Sequence, residues 1–136
     1  MNQRATGSFD VKVVPQKPDT QVARAASLSR LTIDKRFHGD LEGTSKGEML
    51  ALQTDVKGSA GYVALERVTG KLSGKQGSFV LQHSATMYKG DADAKITVIP
   101  DSATGELVGL SGKMLITVAE DGGHHYEFDF KLEARR

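Results

Sequence analysis

Apolar side chains recur along this chain at every second position far more often than at helical spacing. The cleanest case is the C-terminal stretch, where Tyr126, Phe128, Phe130 and Leu132 alternate with Glu127, Asp129, Lys131 and Glu133. A period of two is the mark of a strand with one face buried. The same period runs through Phe9, Val11 and Val13, through Leu31 and Ile33, through Phe79 and Leu81, and through Met114, Ile116 and Val118. No segment carries a comparable helical stripe; Glu48 to Gln53 has helical propensity but is too short to stand against the strand pattern around it.

Turn residues divide the pattern into about eight strands: Thr6–Val14, Leu28–Phe37, Leu41–Leu52, Gly61–Leu72, Gly77–Lys89, Asp93–Ile99, Glu106–Val118 and His124–Glu133. The stretch from Pro15 to Ala26 reads as a connection. Gly43, Gly47, Gly70, Gly109 and Gly112 lie inside strands, where glycine marks sharp bending or close backbone approach. The expectation is all-β: an antiparallel eight-stranded β-barrel with little or no helix, one domain spanning residues 1–136. Phe9, Ile33, Phe37, Phe79, Leu81, Ile116, Tyr126, Phe128 and Phe130 form the expected core.

Facing side chains must share a face, so turn lengths set the register. A three-residue turn at His38-Gly39-Asp40 predicts Phe37 opposite Leu41, Ile33 opposite Ser45 and Leu31 opposite Gly47. A loop centred on Gly74-Lys75 predicts Leu72 opposite Gly77, Gly70 opposite Phe79, Val68 opposite Leu81 and Glu66 opposite His83. The last two strands both have even-numbered apolar faces and need an odd loop near Asp121-Gly122-Gly123; three residues with a glycine bulge satisfy this.

The Glu66/His83 pair changes the picture, because both residues fall on the apolar face. It reads two ways. One is a buried pair that fixes register; the other is an acid/base dyad inside the barrel, with the carboxylate orienting the imidazole and biasing it toward its charged form. Ser45 and Tyr126 share the inward parity and complete the candidate ligand-binding set Ser45, Glu66, His83 and Tyr126.

Other motifs carry less. Gly43-Thr44-Ser45-Lys46-Gly47 matches the serine-hydrolase elbow in letters, but that elbow needs a strand turning sharply into a helix, whereas these flanks read as one strand. His124 and His125 point to opposite faces of a strand, so no shared metal is expected. Lys71 to Ser78 lacks the order of a phosphate-binding loop and reads as a hairpin.

Composition narrows the function classes. The 136 residues carry 18 basic and 17 acidic side chains, a formal charge of +1, so no global field gathers nucleic acid. No apolar run reaches the length of a membrane span. There is no cysteine, hence no disulfide or thiolate chemistry, and the polar start Met1-Asn2-Gln3-Arg4 makes the cytoplasm the expected address. No cofactor is expected. Val14, Val63, Leu65 and Val80 lie on the face opposite the core, which suggests a homo-oligomer, dimer or trimer.

Four strings in order, Arg36 to Ser45, Tyr62 to Gly70, Gly77 to His83 and Gly105 to Gly112, resemble the bacterial family of uncharacterised proteins DUF3224. The resemblance covers nearly the whole chain. It implies a small barrel similar to allene oxide cyclase, a plant enzyme that cyclises an unstable fatty-acid epoxide inside its barrel, and it assigns no activity or catalytic residue. Glu66, Arg67 and His83 fall within the matching strings. Three functions follow as expectations: a module binding a small apolar or amphipathic ligand in the barrel, an isomerase or cyclase using Glu66 and His83, or a packed barrel acting as a structural homo-oligomer. An eight-stranded barrel is wide enough either to be filled by side chains or to hold one small ligand.

Overall fold

The computed structural model describes residues 2–133. Eight antiparallel strands close into a barrel in sequence order: β1 (Asn2–Gln16), β2 (Ser29–Gly39), β3 (Leu41–Gln53), β4 (Ala60–Leu72), β5 (Lys75–Tyr88), β6 (Asp91–Val98), β7 (Leu110–Val118) and β8 (His124–Leu132). The period-two pattern decides which way each strand faces. Odd positions point inward on β1, β2, β3 and β5, and even positions on β4, β6, β7 and β8. Of the expected core residues, all but Ile116 are buried; Ile116 is half-buried at the edge of the cluster.

The connection before β2 contains one short helix, α1 (Gln21–Ala26), capped by the Thr20 hydroxyl, which accepts from the Ala23 N–H at 2.9 Å. The expected strand Glu106–Val118 begins only at Leu110. Before it, Gly105–Leu107 forms a 3₁₀ turn, and Gly109 takes φ +94° where an added Cβ would meet the Glu133 carbonyl oxygen. This segment takes the place of a strand along the first half of β5. The Ile99 N–H donates to the Val80 carbonyl, Ser102 Oγ accepts from the Val80 N–H, and the Thr104 N–H donates to the Ser78 carbonyl. Val80, expected on an open outer face, is therefore half-covered.

Two turns correct the expected register, each by two residues with parity intact. Phe37 faces Gly43, Ile33 faces Gly47 and Lys35 faces Ser45. On the β4–β5 hairpin a two-residue turn, Ser73-Gly74, has positive φ at both positions (49° and 85°), the type whose twist matches its strands. It is shorter than the expected loop, so Leu72 faces Lys75, Gly70 faces Gly77, Val68 faces Phe79, Glu66 faces Leu81 and Ala64 faces His83. Between β7 and β8 the expected three-residue loop is present: the Ala119 N–H donates to the Gly123 carbonyl, and Gly122 takes the left-handed position. One seam differs from all others, since β6 and β7 are paired at Thr97↔Lys113 alone among the described residues.

The two barrel ends are unlike. At one, Phe37, Phe79, Tyr126 and Phe128 are each under 2% exposed, with Phe79 stacked on Phe128 at 5.8 Å between centroids. At the other, inward-facing Val13, Met87, Ala94 and Val118 are exposed. The closed end is held by Tyr126, whose hydroxyl enters the β2–β3 turn, accepts from the Leu41 N–H at 2.9 Å and donates to the His38 carbonyl at 2.8 Å. A Cβ at Gly7 would lie 2.6 Å from that hydroxyl, so β1 must carry glycine there. Replacing Tyr126 by Phe leaves the buried Leu41 N–H unpaired; we expect a loss of about 1–3 kcal/mol in urea unfolding, with the fold kept.

Candidate functional site

Among the described residues, four polar side chains are buried inside the barrel: Lys35 on β2, Ser45 on β3, Glu66 on β4 and His83 on β5. Glu66 is fully buried. The Lys35 ammonium lies 2.8 Å from Glu66 Oε2 and donates to Oε1 at 3.4 Å. These two residues sit on strands that are not neighbours, and β3 runs between them. They meet because β3 offers small residues at the crossing, Ser45 opposite Lys35 and Gly47 opposite Glu66. Gly47 is fixed by backbone approach as well: a Cβ there would lie 2.2 Å from the Leu65 carbonyl oxygen.

His83 Nε2 lies 3.7 Å from Glu66 Oε1. The expected contact is thus made, but diagonally, since Glu66 faces Leu81 and its long side chain reaches the residue two places on. At 3.7 Å the contact is longer than a hydrogen bond, so Lys35 is the closer counter-ion. His83 Nε2 and Ser45 Oγ are buried with no hydrogen-bond partner among the described residues. The Lys35 ammonium also lies 4.7 Å from the Phe9 ring centroid and 5.7 Å from that of Phe37, a cation over two aromatic faces.

Burial pushes the Glu66 carboxyl up, while the facing His83 imidazole and the Lys35 charge push it down and prevail, so it lies below its ordinary value of 4.5. Above this group sits Tyr62, half-buried on β4, with its ring centroid 6.4 Å from that of His83. Burial, and then the Glu66 charge, raise the Tyr62 hydroxyl above 10.0, which keeps it protonated and a donor.

Tyr62 also lines a cavity of about 320 Å³ at the open end, walled by Met49, Ala51, Ala60, Ala85, Met87, Ala92 and Ala94. A larger groove of about 590 Å³ includes His83 in its lining but lies outside the wall: Arg30, Glu48, Leu50, Val63, Leu65, Gln82 and Ser84 all have outward parity. His83 itself has the inward parity of its strand.

Of the four candidate residues read from the sequence, Ser45, Glu66 and His83 come together, and Tyr126 does not. Its hydroxyl is committed to the β2–β3 turn at the closed end. Lys35 was missed by the sequence reading, although its odd number between Ile33 and Phe37 already places it on the inward face. Tyr62 likewise has the inward parity of Ala64 and Glu66. Among the described residues no three His, Cys, Asp or Glu side chains gather as a metal-binding group, and no helix is long and apolar enough to cross a membrane.

Removing Lys35 leaves a buried carboxylate without its counter-ion. Lys35→Met should cost about 3–5 kcal/mol in urea unfolding at neutral pH, whereas Lys35→Met with Glu66→Leu should lie closer to the parent. The lowered carboxyl also sets a pH dependence. A group whose folded value is depressed stabilises above its unfolded value, so this contribution is complete at neutral pH and is lost as pH falls through the folded value of Glu66. Urea midpoints from pH 7 down to pH 3 should fall for the parent and fall less for the double variant.

A family model described as a protein of unknown function (DUF3224) matches residues 5–130. Among solved structures, the chain is similar to a protein of unknown function from the DUF3224 family of Shewanella oneidensis MR-1. The match has a TM-score of 0.91 at 46% identity and covers 99% of this chain and 100% of that one. No curated protein matches. With the family model spanning residues 5–130 and a family member 46% identical over 99% of this chain, this chain belongs to the DUF3224 family.

Proposed function

We propose that the protein binds a small, mostly apolar or amphipathic molecule in the open end of the barrel. The carrying observation is the cavity of about 320 Å³, lined mostly by alanine and methionine with Leu52, Gln53 and Thr86 among them, and with the Tyr62 ring 6.4 Å from that of His83. Alanines at inward positions, where the closed end has phenylalanines, leave room that water fills poorly. An apolar ligand gains by displacing that water, and a few convergent polar groups orient it. Tyr62, Gln53 and Thr86 are the lining residues that can meet a polar end. Lys35, Glu66 and Ser45 are buried, as is His83, with Glu66 Oε1 3.7 Å from His83 Nε2.

Decanoic acid serves as the probe. Calorimetric titration should give saturable binding with a negative heat-capacity change. Ala85→Trp, which fills the mouth, should abolish it while leaving urea stability near the parent value. Equal binding by parent and Ala85→Trp would overturn the reading.

The outer groove favours a second, independent feature: self-association through β3, β4 and β5. Leu50 and Val63 face each other across the ladder and, with Leu65, are 45–53% exposed. The Arg30–Glu48 ion pair at 2.7 Å flanks them on one side, and Gln82 and Ser84 flank them on the other. A two-fold axis through the leucines would set the ion pair of one copy against the amide and hydroxyl of the next, polar rim on polar rim. Light scattering at tens of micromolar should return a multiple of 14.6 kDa, and Leu65→Lys should return the monomer. A monomer at every concentration would reject self-association and leave ligand binding untouched.

A further inference from the structure

We infer that the open-end cavity selects a neutral aliphatic ligand, an alcohol or ketone of medium chain length, whose oxygen enters first and accepts a hydrogen bond from Tyr62. The inference rests on the ligand-binding reading above and adds the class of the ligand and the direction in which it enters.

The register sorts the lining into two rows at different depths. Ala51 faces Tyr62, Tyr62 faces Ala85 and Ala85 faces Ala94, so one continuous row across β3, β4, β5 and β6 holds three alanines and a single tyrosine. The next row toward the mouth runs through Gln53, Ala60, Met87 and Ala92. The rows are two residues apart along each strand, about 7 Å. In the inner row the polar group is therefore the Tyr62 hydroxyl, and its row neighbours offer only methyl groups. That hydroxyl makes no hydrogen bond to the described residues, although Tyr62 is half-buried. Burial, and then the Glu66 charge, raise it, so it stays a donor at neutral pH. A donor held there without a partner is completed by an incoming acceptor.

Charge decides which acceptor. No Asp, Glu, Lys, Arg or His lines this cavity, and its polar residues, Gln53, Tyr62 and Thr86, are uncharged at neutral pH. A carboxylate or ammonium carried to the inner row gives up its water and meets no counter-ion there. A hydroxyl or carbonyl oxygen gives up less and regains a hydrogen bond. Its chain then lies back toward the mouth along Ala60, Ala92 and Met87, the last a flexible thioether that adapts to the shape beside it. At about 30 Å³ for each water-sized group, a volume of about 320 Å³ holds roughly ten non-hydrogen atoms, the size of a medium-length chain.

1-Decanol and decanoate, equal in chain length, are the probes. Both are titrated by calorimetry at neutral pH, below the solubility limit of the alcohol, and intermolecular nuclear Overhauser effects locate each end. The protons beside the decanol hydroxyl should contact the Tyr62 ring, whereas decanoate should present its terminal methyl there and leave its carboxylate at the mouth. Tyr62→Phe should weaken decanol about fivefold and decanoate less than twofold. The contacts in the parent test the inference even where the variant fails to fold. The terminal methyl of decanol at Tyr62, the carboxylate end of decanoate at Tyr62, or an equal loss of both ligands in Tyr62→Phe each overturns the inference and leaves ligand binding standing. Failure of both probes to bind overturns the ligand-binding reading beneath it.

Discussion

A fully buried carboxylate is the constraint around which this barrel is arranged. An isolated charge in that position is prohibitively costly, so the chain must supply a counter-ion at the same depth. It does so from two strands away: Lys35 reaches Glu66 across β3, and β3 must then be small where the two side chains pass. Ser45 and Gly47 meet that need. The ammonium is buried, and the faces of Phe9 and Phe37 lie 4.7 and 5.7 Å from it, a favourable setting for a cation. One ion pair therefore dictates side-chain size on a strand that contributes no charge to it.

The same pair divides the interior. Toward the closed end, inward positions carry phenylalanine, leucine and the Tyr126 ring, and strands touch backbone to backbone at Gly43 and Gly70, where an added Cβ would collide with the opposite carbonyl. Toward the open end, the same inward positions carry alanine, methionine and Tyr62. The aromatic half contributes stability through burial; the alanine half contributes space. The buried polar residues Lys35, Ser45, Glu66 and His83 occupy the level between the packed floor and the open chamber.

Much of the fold was legible because strand parity is a property of the sequence itself: Phe128 and Asp129 cannot exchange faces without moving every neighbour. Register was less legible, because it hangs on turns whose conformation depends on one or two residues. Ser73 gives no sign of the positive φ that makes the hairpin two residues long, and a shift of two preserves every face while changing every partner. Glu66 and His83 still meet because a glutamate side chain spans the diagonal. Lys35 shows the opposite failure. Its parity was plain, but a lysine on an apolar face resembles an interruption until its partner is known, and that partner lies across an intervening strand, beyond any turn-based argument. Tyr126 was misplaced in role for a similar reason, since the turn that takes up its hydroxyl is distant in sequence and near only once β8 closes against β1.

The seam between β6 and β7 gives this barrel a preferred line of yielding. Seven of its eight junctions are continuous ladders, while this one is bridged at Thr97↔Lys113 alone among the described residues. Opening there exposes little hydrogen-bonded backbone, so amides near the seam should exchange with solvent through local motion, while those of β3 and β4 should wait for global unfolding. The walls of the chamber at Ala92 and Ala94 belong to β6. Breathing of the wall and the width of the mouth are thus one motion, which the charged level beneath, set on β2, β4 and β5, need not share.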